Sequence, residues 1–146
     1  MRPAGLLILA VLSAWAAAAR ADGPAVWIEL RTGEDQPPAV RLAAAPNQTL
    51  SLEFVNSIYL APVRETYAIN AVQGLILVRI ESPCACVFEY YGLEAVNSHN
   101  LHRPVGDLSL LSSDYTHHRL KLGDRSVALK DMVGPGERIT LKVVVR

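Results

Sequence analysis

Cysteine is scarce in the chain: only Cys84 and Cys86 occur in 146 residues, so no multi-disulfide framework can hold the fold together. Basic and acidic residues are balanced at 14 each, which argues against a nucleic-acid partner and against a polybasic membrane patch. After the N-terminus the longest apolar run, Leu75 to Val78, suits a buried strand and is too short to span a bilayer. The G-x-S-x-G, H-E-x-x-H, Walker and G-x-G-x-x-G motifs are absent as well.

The N-terminus has the pattern of a cleavable secretory signal peptide over Met1 to Ala21. A positive start precedes the apolar stretch Ala4 to Leu12, and Ala19-Arg20-Ala21 gives the small-x-small pattern of a cleavage site. The alternative is an uncleaved membrane anchor, which would be the protein's only membrane contact. The high alanine content of the second half of the segment and the charge of Arg20 argue against this alternative. We therefore expect residues 22–146 to be exported as one soluble unit to the periplasm or the cell exterior.

Short segments with a two-residue apolar period predict an all-β fold. Leu50, Leu52 and Phe54 fall on one face of a strand, and Leu75 to Ile80 is apolar on both faces, as expected of a central strand. Turn residues between such segments predict a single sandwich or flattened barrel of about eight short antiparallel strands over residues 48–146, after an N-terminal strand and linker at 22–47. Loops are predicted at Arg31–Asn47 and Asn97–Asp107, and further strands at Val26–Leu30, Val87–Tyr91, Leu108–Leu111, His118–Leu122, Val127–Leu129 and Ile139–Val145.

Two polar residues interrupt apolar faces on neighbouring predicted strands. Asn56 continues the face of Leu50, Leu52 and Phe54, and Glu65 shares a face with Val63, Tyr67 and Ile69. If the strands pair through the segment Ser57–Pro62, we expect Asn56 and Glu65 to come close across the ladder. A buried carboxylate must be paired, neutralised or near solvent.

Three functions for this neighbourhood remain open. Glu65 can simply accept structural hydrogen bonds that pin the hairpin. Alternatively, Asn56, Ser57, Glu65 and Tyr67 line a pocket in which Glu65 binds a cation or polar solute. The third alternative is a hydrolase-like enzyme that uses Glu65, although the sequence favours a protein without catalytic activity.

The Cys84-Ala85-Cys86 segment has three open alternatives: a disulfide, a metal site or free thiols. An extended strand would separate the two Cα atoms by about 6.6 Å, at the upper edge for a disulfide, so the backbone would have to kink. Closing so small a loop would contribute only about 1.6 kcal/mol. A soft metal could be bound together with a histidine, and His99 and His102 in the predicted loop could reach. No paired zinc-type spacing is present, and the sequence identifies no cofactor.

The segments Leu52–Ile58, Pro62–Val63 and Glu65–Tyr67 resemble the 1850-type family of bacterial domains of unknown function. Members of that family are small exported or membrane-anchored proteins, commonly encoded beside TAXI-type TRAP transporters. Their hallmark is a strand ending in His-Ser-Val, a short loop, a Glu in the next strand and a later Gly-Ala-Gly element. The resemblance extends over most of the chain after Asn47, including Leu75–Ser82 and the C-terminal strands.

Two positions depart from the family pattern. Asn56 stands where the family has His, and the two cysteines stand where it has glycines, whereas Ser57 and Glu65 match. Asn cannot titrate, so any acid–base or metal role of the histidine would be lost. The resemblance implies a binding or accessory protein whose partner is a TRAP transporter component or a small solute. A metal- or thiol-handling protein that uses Cys84 and Cys86 is the alternative.

Overall fold

Two antiparallel β-sheets pack face to face in the computed structural model, which describes residues 25–94 and 99–146. The predicted signal peptide, Met1 to Ala21, lies outside the described residues. Within the described ranges, none of the helices has the length and apolar character needed to cross a membrane. The predicted all-β sandwich is confirmed: residues 25–94 and 99–146 form ten strands instead of about eight, and neither sheet closes into a barrel.

The strands divide unequally between the sheets. The four-stranded sheet has the order β2-β1-β10-β7 and the six-stranded sheet the order β6-β5-β4-β3-β8-β9. The strands are β1 Val26–Arg31, β2 Val40–Ala44, β3 Thr49–Asn56, β4 Ala61–Asn70, β5 Gly74–Glu81, β6 His99–Gly106, β7 Leu108–Leu111, β8 Arg119–Leu122, β9 Arg125–Ala128 and β10 Arg138–Val145; one helix, α1, spans Ala85–Tyr90, and a 3₁₀ turn spans Leu129–Asp131.

Side chains that alternate along the strands form the core between the sheets. Leu50 and Leu52 on β3 are buried together with Ile28 on β1 and Leu141 on β10. The expected central strand is β5, which lies between β4 and β6. On β4 the residues that share the inner face include Val63, Glu65 and Tyr67, so the predicted face of this strand is also confirmed.

Three segments differ from the sequence prediction. The region Arg31–Asn47 contains the edge strand β2, whose alternation is inconspicuous because alanines surround its buried Leu42. The predicted loop Asn97–Asp107 contains β6 from His99 onward; β6 is an edge strand with a bulged register, and such strands tolerate polar residues and Pro104. Instead of a strand, Val87–Tyr91 lies mostly in α1.

The sequence of α1 gives the reason for the helix. Val87 and Phe88 are adjacent and both buried. In a strand, successive side chains point to opposite faces, whereas one helix can direct two neighbouring residues toward the same core. After Pro83, the chain therefore turns into a short helix that closes one part of the sandwich.

Candidate functional site

The buried carboxylate of Glu65 is hydrogen-bonded on both oxygens. Tyr67, two residues along β4, donates its hydroxyl to Oε2, and Tyr91, directly after α1, donates to Oε1 at 2.5 Å. Glu65 is 8 % exposed and Tyr67 is 2 % exposed. The cluster therefore joins the sheet to the end of α1. Glu65 thus accepts structural hydrogen bonds, which is one of the three roles considered for it from the sequence.

Burial controls the protonation of this cluster. It raises the pKa of Glu65 above its ordinary value, against the opposing effect of the hydrogen bonds from Tyr67 and Tyr91. Burial and the neighbouring carboxylate both raise the pKa of the two tyrosines, so their hydroxyls remain donors.

Asn56 caps a turn and does not contact Glu65. The strands β3 and β4 pair antiparallel as expected, but the register sets Asn56 opposite Ala61 and Glu65 opposite Leu52. Both side chains are on the same face, but Glu65 lies opposite Leu52 and is therefore offset from Asn56 by four residues along β3. The expected cross-strand contact between Asn56 and Glu65 is thus wrong. Asn56 Oδ1 instead accepts the backbone N–H groups of Ile58 and Tyr59 at 2.9 and 3.0 Å.

Replacement of Asn56 tests this capping role. We expect Asn56→Ala to lower the free energy of unfolding by about 1–2 kcal/mol, because two turn amides lose their acceptor. Asn56→Asp keeps an acceptor oxygen in the same place and should lose much less. Urea unfolding of both variants gives the comparison, and equal losses would show that the cap does not hold the turn.

The turn that Asn56 caps presents an exposed apolar surface, here called the hairpin tip and defined as Ser57 to Leu60. Ile58 is 65 % exposed, Tyr59 is 40 % exposed and Leu60 is 79 % exposed. Ser57 is exposed beside them. Single exposed apolar residues are ordinary, but three consecutive ones on a fixed turn form a surface suited to contact another molecule.

The next hairpin has the same local construction and provides an internal reference. Asn70 Oδ1 accepts the backbone N–H groups of Val72 and Gln73, as Asn56 does two and three residues ahead. Four residues after each asparagine the backbone has a positive φ, 75° at Gly74 and 52° at Leu60. Glycine adopts this conformation freely, whereas leucine is strained in it by about 1–2 kcal/mol. The hairpin tip thus retains an exposed leucine where the sister hairpin has glycine.

A groove of about 550 Å³ lies beside the hairpin tip and is here called the end groove. Its apolar lining comes from paired positions of β3 and β4, and Ser82 and Pro83 line it just before Cys84. The lining of the groove also contains charged residues that form an ion-pair network. In it, Arg64 lies 2.7 Å from Glu53 and 4.0 Å from Glu81. The apolar lining residues are Phe54, Val55, Pro62 and Val63.

His118 supports the lining of the end groove from inside. Its ring stacks on Phe54 at 5.6 Å between centroids and meets the edge of Tyr115 at 5.1 Å. Burial lowers the pKa of His118, and the nearby Asp114 carboxylate opposes this effect. Its Nδ1 is the buried side-chain nitrogen that lacks a hydrogen-bond partner within residues 25–94 and 99–146.

Cys84 and Cys86 form a disulfide, which leaves no free cysteine in the chain. Their Cα atoms are 5.2 Å apart, closer than an extended strand allows, because Cys84 is the N-cap of α1 and Cys86 is in its first turn. Both side chains are half-buried against the core. Of the three alternatives for these residues, the structure has the bridge.

The histidines occupy two strand regions of the six-stranded sheet. His99 and His102 lie in β6, and His117 and His118 precede β8. Among the described residues, no group of three or more His, Cys, Asp or Glu side chains is placed to hold a metal ion.

A second buried glutamate lies on the outer face of the four-stranded sheet. Glu29 is 1 % exposed because arginine side chains cover it: Arg31 lies 2.6 Å away, Arg41 2.9 Å and Arg146 3.5 Å. The hydrogen bond from Arg31 is the main cause that lowers the pKa of Glu29, and burial opposes it. A groove of about 610 Å³ surrounds this cluster. Because each of these arginines approaches the same carboxylate, we interpret the cluster as a stabilising ion-pair network.

Comparison of the chain with protein-family models, with curated proteins and with solved structures finds no match. The assignment of a site therefore depends on the geometry of the chain itself.

The sequence places Glu65 and Tyr67 on one face of a strand, but it does not reveal two features of the site. The strand predicted over Val87–Tyr91 gives no signal that Tyr91 reaches Glu65. The segment Ser57–Pro62 is predicted only as a connection, although its consecutive apolar residues Ile58, Tyr59 and Leu60 are a detectable signal. Whether Asn56, Ser57, Glu65 and Tyr67 bind a ligand stays a prediction; the hydrogen bonds of Asn56, Glu65 and Tyr67 described above are all made within the fold.

Proposed function

We propose that the protein is an exported, non-enzymatic binding protein that acts as an accessory of a TRAP-type solute transporter. It docks on a protein component of that transporter through the hairpin tip and the adjoining end groove. The observation that carries the proposal is the exposed apolar tip, held in a fixed conformation by Asn56.

The conformation of Leu60 supports a binding role more than a folding role. A residue that strains the backbone and leaves most of its side chain in solvent does not stabilise the fold. The strain is explained if the side chain is required by a partner. An apolar centre flanked by charged residues also matches the general anatomy of protein interfaces, in which apolar anchors are surrounded by a polar rim. Arg64 and Glu53 provide such a rim here.

The identity of the partner comes from the family resemblance, and export comes from the predicted signal peptide. The resemblance reaches the first half of the hairpin tip, because the segment Leu52–Ile58 that carries it includes Ser57 and Ile58. The contacts of Glu65 favour the binding role over the hydrolase alternative. Its oxygens are engaged by Tyr67 and Tyr91, and little of the carboxylate faces solvent.

A matched pair of variants tests the proposal. Ile58→Asp places a charge on the hairpin tip, and Val72→Asp places one at the equivalent position of the sister hairpin, where the side chain is 93 % exposed. We expect Ile58→Asp to weaken binding to the purified solute-binding component of the transporter at least about tenfold, the usual effect of losing an interface anchor. Val72→Asp should leave binding unchanged. Isothermal titration calorimetry measures both.

Leu60→Gly separates binding from folding. Glycine relieves the backbone strain, so this variant should unfold at the same or a higher urea concentration than the unmodified chain. It should nevertheless bind the transporter component more weakly, because the exposed side chain is gone. Weaker binding accompanied by a less stable fold would instead indicate a structural role for Leu60. Failure of the unmodified chain to bind the component would overturn the assignment of the partner.

A further inference from the structure

The Cys84–Cys86 bridge contributes little to the stability of the fold. It closes a loop of only three residues, and the stabilisation that a disulfide gives through the entropy of the unfolded chain is smallest for such short loops. The core contains many apolar side chains that do not depend on it. A structural staple is therefore a poor explanation for the only two cysteines of the chain.

Other contacts hold the surrounding segment in place. Val87 and Phe88 anchor α1 in the core, and the Tyr91 hydroxyl ties the end of the helix to Glu65. The backbone N–H of Cys84 also donates to Ser82 Oγ at 3.3 Å. These contacts do not involve sulfur, so opening of the bridge would leave each of them in place.

The bridge adjoins, in the chain, residues that line the end groove. Both cysteines are half-buried and pack against the core. Ser82 and Pro83, which line the end groove, immediately precede Cys84 in the chain. A polypeptide that rests on Val55 and Pro62 in the end groove would bring its own residues close to the bridge.

We propose that the Cys84–Cys86 disulfide exchanges with a pair of cysteine thiols in an exported polypeptide bound along the end groove. A thiolate of the polypeptide attacks one sulfur of the bridge; the S–S bond breaks, and a mixed disulfide forms. The second cysteine of the protein leaves as a thiolate and takes a proton from solvent. The other polypeptide thiolate then attacks the mixed disulfide and releases the protein as a dithiol.

Electrons and atoms balance in this exchange. Two electrons pass from the polypeptide dithiol, which becomes a disulfide, to the bridge, which becomes two thiols. A small-molecule disulfide of the oxidised glutathione class regenerates the bridge by the reverse steps. The inference uses the end groove of the proposed function, but its chemistry is independent of the transporter component.

Redox titration of the complete domain is the first test. In glutathione buffers of increasing reducing strength, we expect alkylation and mass spectrometry to show full reduction of Cys84 and Cys86 while the far-ultraviolet circular dichroism remains that of the folded protein. A bridge that stays oxidised until the protein is unfolded would overturn the proposal. So would loss of the fold upon reduction.

The second test asks whether the groove directs the exchange. The probe is a synthetic apolar peptide with two reduced cysteines, mixed with the oxidised protein. We expect Val55→Glu to slow its oxidation at least about tenfold and to leave the reaction with dithiothreitol unchanged, because dithiothreitol needs no groove. The Val72→Asp variant described above serves as the folded surface control. Equal effects on both reductants would contradict a role for the groove.

Single replacements trap the intermediate. Cys84→Ser and Cys86→Ser each leave one thiol. After activation as its glutathione adduct, this thiol should form a stable mixed disulfide, with release of glutathione, with a version of the peptide that keeps one cysteine and has serine in place of the other. If neither variant folds, quenching the unmodified protein with iodoacetamide during the reaction must reveal the same adduct by mass. Absence of a mixed disulfide in both experiments would refute the exchange. Loss of transporter binding with intact exchange would refute only the proposed partner.

Discussion

Glu65→Ala should destabilise the protein by about 2–4 kcal/mol. Its removal leaves the hydroxyl of Tyr67 buried without an acceptor and releases the Tyr91 hydroxyl that holds the end of α1. A buried polar group that loses its partner costs about 1–3 kcal/mol, and two are affected here. Urea unfolding at neutral pH measures the change.

Glu53→Ala is the matched control for this prediction. Glu53 lies on the same hairpin, but its side chain is 25 % exposed and its partners Arg64 and Lys121 are more exposed still. Ion pairs near the surface contribute at most about 1 kcal/mol. A Glu65→Ala variant that is no less stable than Glu53→Ala would contradict the assigned role of the buried cluster.

Glu29→Ala should have the second largest effect, a loss of about 2 kcal/mol at neutral pH. The replacement leaves the arginines that surround Glu29 without their shared counter-ion, and hydrogen bonds to charged groups contribute about 1.5–3 kcal/mol. Partial exposure of Arg31 and Arg41 reduces the effect below that of a fully enclosed pair. Urea unfolding measures it, and Glu29→Gln separates the loss of charge from the loss of volume.

The two buried glutamates should respond to pH in opposite directions. The folded-state pKa of Glu29 is lowered, so its stabilising effect is present above the ordinary pKa of glutamate and disappears as the pH falls through the folded-state value. The folded-state pKa of Glu65 is raised, so the part of its contribution that depends on protonation is complete below the ordinary value and is lost as the pH rises through the folded-state value.

Urea unfolding at several pH values tests this contrast. The stability difference between the unmodified protein and Glu29→Gln should shrink upon acidification. The corresponding difference for Glu65→Gln should shift in favour of the unmodified protein upon acidification. Parallel pH profiles for the two variants would show that burial does not dominate at Glu65.

Strands with regular alternation could be predicted from the sequence because one physical signal determines them. Leu50, Leu52 and Phe54 can share a buried face only if β3 is extended. The same signal fails where tertiary pairing overrides a weak local pattern. β2 forms because β1 offers an edge, and β6 forms because β5 does, although the sequence of each contains turn-favouring or polar residues.

The candidate site was predictable to a smaller extent for a related reason. Alternation places Asn56 and Glu65 on the inner face of the hairpin, but it does not give the register, which decides which residues meet. The partner of Glu65 that comes from α1 lies 26 residues farther along the chain. No local pattern contains such a contact. The geometry of an extended strand does not favour a disulfide between Cys84 and Cys86. In the structure a single turn of helix brings their Cα atoms to 5.2 Å, which allows the bridge.

The most direct test of the binding surface is the ratio of two dissociation constants for the transporter's solute-binding component. The ratio compares the Ile58→Asp variant with the Val72→Asp variant. The two positions are equivalent because each follows a capping asparagine by two residues and each is exposed to solvent. The account predicts a ratio of about ten or more. A ratio of one, with the component bound by the unmodified chain, would place the docking surface elsewhere on the sandwich.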